Sequence, residues 1–273
     1  MSDEAALAGL DITKPNVARV YNYLIGGKDH YAVDRGAGDA LLQQEPDAQI
    51  SGREHRAFLR RVVRYLTAEA GVRQFIDVGS GLPTAENTHE VAQRTDPAAR
   101  VVYVDNDPVV VVHARALIGT TSTTSIVAGD ARAPAAILDD PLVRDLVDFS
   151  RPVGVLLMAV LHHIADAEDP VGITRAFRDA LVPGSYLALS HFCNPGAANP
   201  AEAKIATESE RLFTKNFGNG RWRSAEEITE FFGDFRLVDP GLVPIPDWRP
   251  DTPREGELPG VFHRFVGGVA VKA

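Results

Sequence analysis

Cysteine is nearly absent from this sequence, which has only Cys193 among its 273 residues. A single thiol cannot form an internal disulfide framework or supply the thiolates of a cysteine-rich zinc site. We therefore predict no metal centre of that kind, and a reducing, cytoplasmic location is the simplest interpretation. No partner that would activate the thiol is apparent, so we interpret Cys193 as a buried apolar side chain and not as a nucleophile.

Long apolar runs and a surplus of basic residues are also missing. The longest apolar runs, such as residues 153–161, are far too short to span a bilayer, and the polar, acidic first fourteen residues are unlike a signal peptide. Lys and Arg number 28 against 37 Asp and Glu, which gives a net charge of −9. This balance argues against nucleic acid or a membrane as a partner, because both attract basic surfaces.

From residue 74 onward the sequence alternates apolar strands with amphipathic helices. The predicted strands cover residues 74–78, 100–104, 125–128, 153–158 and 186–190, with two more at 235–238 and 261–271. Strands and helices at this spacing indicate βαβ units and therefore a parallel α/β sheet. Residues 196–232 are expected to be mostly helical and to form a lid.

The first seventy residues are predicted to form a helical cap, followed by a sheet domain over residues 71–273. A helix predicted over residues 53–70 carries a run of arginines, which we interpret as a solvated face; they are Arg53, Arg56, Arg60, Arg61 and Arg64. Residues 28–35 are crowded with polar and aromatic groups. Two interpretations of that segment stay open, a capped surface helix and a lid over a ligand.

Three predicted strands end in residues suited to a nucleoside-type cofactor. The first runs into a glycine turn, where the backbone can approach a ligand closely, and the second ends in an acid at about the spacing expected of a ribose-binding carboxylate. The third is followed by a carboxylate that could accept a hydrogen bond from adenine. The candidate cofactor-binding residues are Asp77, Gly79, Ser80, Gly81, Asp105, Asn106, Asp130, Ala131 and Met158.

Two cofactors compete for this edge of the sheet. The nicotinamide-dinucleotide fingerprint is Gly-x-Gly-x-x-Gly, but Thr84 stands at its third position here, beside Pro83. Asp77 lies inside the strand end, where a buried carboxylate needs a donor or a cation opposite it. S-adenosylmethionine offers an ammonium and a sulfonium, so the set of strand-end residues favours it over NAD.

These residues resemble the motifs of class I S-adenosylmethionine-dependent methyltransferases. Residues 77–81 (DVGSG) are similar to the first motif, 103–105 (YVD) to the ribose-binding acid, 129–131 (GDA) to the adenine-binding turn, and 161–164 (LHHI) to the segment after the fourth strand. Residues 15–29 (PNVARVYNYLIGGKD), with 81–84 (GLPT) and 248–250 (WRP), are similar to a bacterial family called S-adenosyl methyltransferases. This resemblance implies a Rossmann-like, mostly parallel seven-stranded sheet with an antiparallel last strand, helices on both faces and an N-terminal helical cap.

The resemblance implies an enzyme that uses S-adenosylmethionine to methylate an oxygen or nitrogen atom of a small molecule. His162 and His163 are the candidate catalytic bases, since they follow the fourth strand. The candidates for shaping the acceptor pocket from the cap are Tyr21, Tyr23, His30, Asp34 and Arg35. A non-catalytic S-adenosylmethionine sensor or interaction module stays open as an alternative, with an NAD-dependent oxidoreductase behind it.

Overall fold

An eight-stranded mixed sheet forms the centre of the protein, whose computed structural model describes residues 12–273. The strands are β1 (Gln74–Val78), β2 (Arg100–Asp105), β3 (Thr124–Ala128), β4 (Gly154–Met158), β5 (Tyr186–Phe192), β6 (Arg236–Leu237), β7 (Val243–Pro244) and β8 (Phe265–Val271). Their order is β3-β2-β1-β4-β5-β8-β6, with β7 also paired to β8. The first five strands are parallel, and β8 is antiparallel to β5, so the predicted fold class is confirmed.

The outer edge of the sheet differs from the seven-stranded expectation, because two short strands share it. Leu237 pairs with Ala270 and Val243 pairs with Gly267, both on the same neighbour, β8. Between them the chain turns through Pro240, which has no N–H to donate to a ladder, and through Gly241 at a φ of +94°. Of the strand predicted at residues 235–238, only the two central residues, Arg236 and Leu237, form a strand.

Helices cover both faces of the sheet. They are α1 (Val17–Leu24), α2 (Ala32–Gln44), α3 (Ala48–Ala68), α4 (Thr88–Thr95), α5 (Pro108–Leu117), α6 (Pro134–Leu138), α7 (Pro141–Leu146), α8 (Pro170–Asp179), α9 (Pro200–Phe217) and α10 (Ala225–Glu230). Several begin with proline, which suits the first helical position because the N–H it lacks would have no intrahelical partner there. The predicted helix at residues 53–70 begins five residues earlier, at Ala48, and ends at Ala68.

Alternate residues of the central strands enter two separate hydrophobic cores. Phe75 packs on one face with helices α3, α4 and α5, and its neighbour Ile76 packs on the other face with α6, α7, α8 and α10. All five residues of β1 and of β4 are buried, as expected of strands that lie between two helical layers. This rigid centre holds the carboxyl ends of β1 to β5 at one edge.

The first two helices are joined to each other by a buried ion pair. The Nε atom of Arg19 lies 2.8 Å from Oδ2 of Asp34, and both side chains are almost wholly buried. Asp34 also accepts hydrogen bonds from the backbone N–H groups of Asn16 and Tyr31. The division into a cap and a sheet domain at residue 70 stays a prediction. Within residues 12–273, no helix is long and apolar enough to cross a membrane.

Candidate active site

A cavity of about 430 Å³ lies at the carboxyl ends of the parallel strands, which is where open α/β sheets bind ligands. Its volume falls within the range of small-molecule sites. All the residues predicted to bind the cofactor lie in its wall: Asp77, Gly79, Ser80, Gly81, Asp105, Asn106, Asp130, Ala131 and Met158. The structure therefore brings together residues from four strand ends that are far apart in the sequence.

The turn after β1 has a backbone that only glycine adopts easily. Gly79 and Gly81 both have a φ of +68°. The N–H of Gly79 donates to the carbonyl of Val104 at 2.7 Å, which fixes the turn against β2. A Cβ at position 79 would lie 2.5 Å from Cγ2 of Val160, whereas one at position 81 would meet nothing within 4 Å. The backbone at Gly81 is therefore open to a ligand.

Asp105 is held in place through both carboxylate oxygens. Oδ2 accepts from the N–H of Gly81 and Oδ1 from the N–H of Asp107, each at 2.9 Å. Burial raises the pKa of Asp105 to about 6, although these two hydrogen bonds favour its ionised form. A carboxylate oxygen has a second lone pair, so the fixed group can still accept from a pair of ribose hydroxyls.

Asp77, predicted to need a donor or cation, has one of each nearby. The hydroxyl of Thr88 donates to Oδ2 at 2.6 Å. Burial raises the pKa of Asp77, while Thr88 and the positive charge of Arg56 oppose that rise. Arg56 itself lines the cavity, and its Nη2 donates to the carbonyl of Glu86 at 3.1 Å.

The interpretation of the arginine run as a solvated face is wrong for two of its members. Arg56 faces the cavity, and Arg61 is only 6% exposed, with Nη2 donating to the carbonyl of Ile245 at 2.7 Å. The others lie nearer the surface, where Arg60 pairs with Glu86. Arg61 also pairs with Glu54 on the same helix, at 2.8 Å. Helical spacing alone could not reveal its burial, because the carbonyls of Ile245 and Trp248 that it binds come from the far end of the chain.

Asp130 already has a cation beside it. Its carboxylate accepts from Nε and Nη2 of Arg132 at 2.9 and 2.8 Å, and from Nδ2 of Asn106 at 3.2 Å. Hydrogen bonds from Arg132 lower the pKa of Asp130 to about 2. The group is therefore ionised at neutral pH and stands partly exposed at the end of β3, where it can accept a further hydrogen bond.

The two predicted catalytic histidines both line the cavity, on the short helical turn Leu161–His163 that follows β4. Their ring centroids lie 4.2 Å apart. His162 is 2% exposed and its Nδ1 is enclosed without a hydrogen-bond partner among residues 12–273. Burial lowers the pKa of His163 to about 4, with a contribution from Arg132, and lowers the pKa of His162 as well. Both imidazoles are consequently neutral at pH 7.

A third histidine in the cavity wall, His55, was not predicted from the sequence. Its Nε2 lies 2.8 Å from Oγ of Ser190, and its Nδ1 lies 3.3 Å from the hydroxyl of Tyr21, which donates to the carbonyl of Gly52 at 3.0 Å. Oγ of Ser190 accepts from the N–H of Ala159 at 2.9 Å. All four hydrogen bonds have a donor and an acceptor when the proton of neutral His55 is on Nδ1, which then donates to Tyr21 while Nε2 accepts from Ser190. Both ring nitrogens therefore have partners, and burial lowers the pKa of His55 to about 3.

Of the five cap residues predicted to shape the acceptor pocket, only Tyr21 lines the cavity. The other four are occupied within the cap. The hydroxyl of Tyr23 donates to Asp39 at 2.6 Å, and Nη1 of Arg35 lies 3.4 Å from Nδ1 of His30. Asp34 forms the buried pair with Arg19 described above. These four therefore lie outside the cavity wall, and their part in shaping the acceptor pocket stays a prediction. Residues 28–35 fit the interpretation of a capped helix, with Asp34 at the start of α2.

A cluster of charged residues centred on Arg264, which was also not predicted, joins distant segments at the cavity wall. Nη2 of Arg264 lies 2.5 Å from Oε2 of Glu45 at the end of α2, and its Nη1 pairs with Glu202 of α9. The hydroxyl of Ser209 donates to Glu45 at 2.6 Å. All three charged side chains are largely buried, so this cluster fastens the cap to α9 beside the cavity.

Comparison with known families decides between the two candidate cofactors. A family model described as S-adenosyl methyltransferase matches residues 3–273. The chain belongs to the S-adenosyl methyltransferase family. This methyltransferase therefore takes S-adenosylmethionine as its cofactor, and the NAD-dependent oxidoreductase alternative is wrong.

Solved structures resemble the methyltransferase over nearly its full length. A candidate methyltransferase from Thermobifida fusca YX is 43% identical, with a TM-score of 0.91 over 97% of each chain. A DUF574 family protein from Streptomyces avermitilis MA-4680 is 38% identical, with a TM-score of 0.89 over 96% of this chain and 99% of that one. The pyocyanin biosynthetic protein PhzM, at 16% identity and a TM-score of 0.50 over 86% of this chain and 61% of that one, shares the fold alone. No curated protein matches the methyltransferase.

Proposed function

We propose that the methyltransferase methylates an oxygen or nitrogen atom of a small molecule that binds in the same cavity as the cofactor. The observation that carries this proposal is the chemical division of the cavity wall. Carboxylates and glycines line it at the ends of β1, β2 and β3, whereas histidine and aromatic rings line it at the ends of β4 and β5. Helices α1 and α9 also contribute to the wall, which favours a small acceptor over a macromolecule.

The strand-end residues fit S-adenosylmethionine. Asp105 would accept from the ribose hydroxyls, Asp130 from the adenine amine, and the open backbone at Gly81 would approach the amino-acid portion. Arg56, beside Asp77, would balance the carboxylate of that portion. When bound, the cofactor supplies a methyl carbon made electrophilic by a sulfonium sulfur.

On the acceptor side, His163 acts as the general base and takes the proton that the acceptor loses. Its ring nitrogens form no hydrogen bond with residues 12–273, and its pKa of about 4 keeps it unprotonated at neutral pH. His55 differs, because both its nitrogens are occupied by Tyr21 and Ser190. We therefore propose that His55 positions the wall and that His163 accepts the proton.

The experiment is a transfer assay with S-adenosylmethionine carrying a trideuterated methyl group and a panel of small phenols, anilines and aliphatic amines. We expect mass spectrometry to detect a labelled O- or N-methyl product. His163→Gln should lower kcat while the affinity for S-adenosylhomocysteine stays within twofold. Binding of S-adenosylhomocysteine without transfer to any member of the panel would contradict the proposal and favour a cofactor sensor.

A further inference from the structure

Six aromatic rings converge on the β4–β5 side of the cavity. They are His162, His163, Phe192, Phe213, Phe217 and Trp222, which we call the aromatic wall. Phe, Trp and Tyr make up only 7% of the sequence, so this concentration is not a reflection of composition. The rings come from the turn after β4, the end of β5, α9 and the segment that follows α9.

The rings of the aromatic wall hold one another in fixed orientations. Phe192 and Trp222 stack at 4.6 Å with 12° between their planes, and Phe213 meets Trp222 at 5.3 Å and 65°. Phe192 also packs 4.4 Å from His162, and Phe213 packs 5.2 Å from His163. A wall that is ordered in advance loses little conformational entropy when a ligand binds to it. Aromatic faces and edges favour another ring over a saturated surface of equal area.

The charges around the aromatic wall favour an uncharged acceptor. His162 and His163 are neutral at pH 7, because burial lowers the pKa of both. Arg264, a cation that also lines the cavity, is paired with the two carboxylates of Glu45 and Glu202. Arg264 is therefore not free to pair with an anionic acceptor.

Two other arginines also line the cavity. Arg132 is paired with Asp130 and Glu168, and Arg56 lies on the cofactor side, near Asp77. An anionic acceptor at the aromatic wall would therefore find Arg132 and Arg264 already paired with carboxylates.

We propose that the methyl acceptor is a neutral, planar aromatic molecule that packs against the aromatic wall with its hydroxyl or amino group toward the end of β4. This substrate class rests on the proposed function, since it places the acceptor in the cavity that holds the cofactor. Stacking against Phe192, Phe213 and Trp222 fixes the plane of the acceptor. His163, in the same wall, then faces the polar edge of the ring.

The test compares two probes of similar size by calorimetry on the full chain saturated with S-adenosylhomocysteine. One is 2-naphthol, which is planar, and the other is decahydro-2-naphthol, its saturated counterpart. We expect 2-naphthol to bind at least about tenfold more tightly. If the two probes bound the unmodified chain equally, or if the saturated probe bound more tightly, the proposal would be overturned.

Two variants locate the binding. Phe217→Leu, at a partly exposed member of the aromatic wall, and Trp222→Leu, at a buried one, should each weaken 2-naphthol binding at least fivefold and leave S-adenosylhomocysteine binding within twofold. Phe149→Leu is the matched control, because Phe149 lies outside the cavity wall beneath Arg144, and it should change neither affinity. If Phe217→Leu bound 2-naphthol as tightly as the unmodified chain, the proposal of an aromatic acceptor on this wall would be overturned, but the proposed function would not. If the unmodified chain did not bind S-adenosylhomocysteine, the proposed function itself would be overturned.

Discussion

The backbone N–H of Gly81 donates to Oδ2 of Asp105 at 2.9 Å, so the glycine turn after β1 orients the acid at the end of β2. The N–H of Asp107 holds the other oxygen at the same distance. The carboxylate is therefore fixed before the cofactor arrives. Each oxygen keeps a second lone pair for a ribose hydroxyl. Because the group is already fixed, ribose binding loses less conformational entropy.

Asp105→Asn should weaken S-adenosylhomocysteine binding by about ten- to a hundredfold, because hydrogen bonds to a charged group contribute about 1.5–3 kcal/mol. The amide would also turn a donor toward one of the two N–H groups that now donate to Asp105. Isothermal titration calorimetry measures the change. Asp139→Asn is the control, since Asp139 is exposed and pairs with Arg144. Equal affinities for the Asp105→Asn variant and the unmodified protein would count against the ribose assignment.

Binding should also depend on pH through Asp105, whose pKa burial raises to about 6. Ribose hydroxyls donate to the ionised form, so protons compete with the cofactor as the pH falls through that value. The affinity for S-adenosylhomocysteine should be nearly constant above pH 7 and about tenfold lower at pH 5. The Asp105→Asn variant should lose this dependence. A flat profile for the unmodified protein between pH 7 and pH 5 would show that Asp105 does not bind the ligand in its ionised form.

Gly79→Ala should destabilise the protein more than Gly71→Ala does. Both glycines have positive φ, +68° and +73°, so both substitutions carry the backbone strain. Only position 79 adds a clash, because a Cβ there would lie 2.5 Å from Cγ2 of Val160. We expect the free energy of unfolding in urea to fall by about 1–3 kcal/mol more for Gly79→Ala. Adding Val160→Ala should recover part of that difference, and equal losses at the two glycines would refute the close-contact explanation.

Arg264→Ala should cost about 3–5 kcal/mol of unfolding free energy, since it leaves Glu45 and Glu202 largely buried without their cation. The comparison is Arg211→Ala, which removes an exposed pair with Glu208 one helical turn away and should cost less than about 1 kcal/mol. Urea denaturation at pH 7 measures both. If the two variants lose similar stability, the Arg264 cluster does not fasten the cap to α9.

The sheet and the cofactor edge could be predicted because their signals are local. The structure gives β1 the predicted bounds, Gln74–Val78, and β2 extends only one residue further, to Asp105. Short apolar stretches, residues 75–76 and 101–104, mark these strands. The polar residues near their carboxyl ends lie at the same edge by the geometry of a parallel sheet. The predicted burial of Cys193 is likewise confirmed, at 3% exposure.

Beyond the cofactor edge, His162, His163 and Tyr21 were predicted and line the cavity. Other parts of the wall could not be predicted, because their contacts join distant parts of the chain. His55 meets Ser190 across 135 positions, and Arg264 meets Glu45 across 219. No periodic pattern encodes such pairings. For the crowded segment at residues 28–35, the sequence left two interpretations open, and the local contacts of His30 and Arg35 fit the capped helix.

A crystal structure with S-adenosylhomocysteine would test most directly the claim that the strand-end cavity is the cofactor site. We expect both ribose hydroxyls within hydrogen-bond distance of the Asp105 carboxylate and the adenine beside Asp130. We also expect the sulfur to face the turn that carries His162 and His163. An adenosine bound outside this cavity, or inside it with its ribose away from Asp105, would show that the strand-end residues do not hold the cofactor in this way.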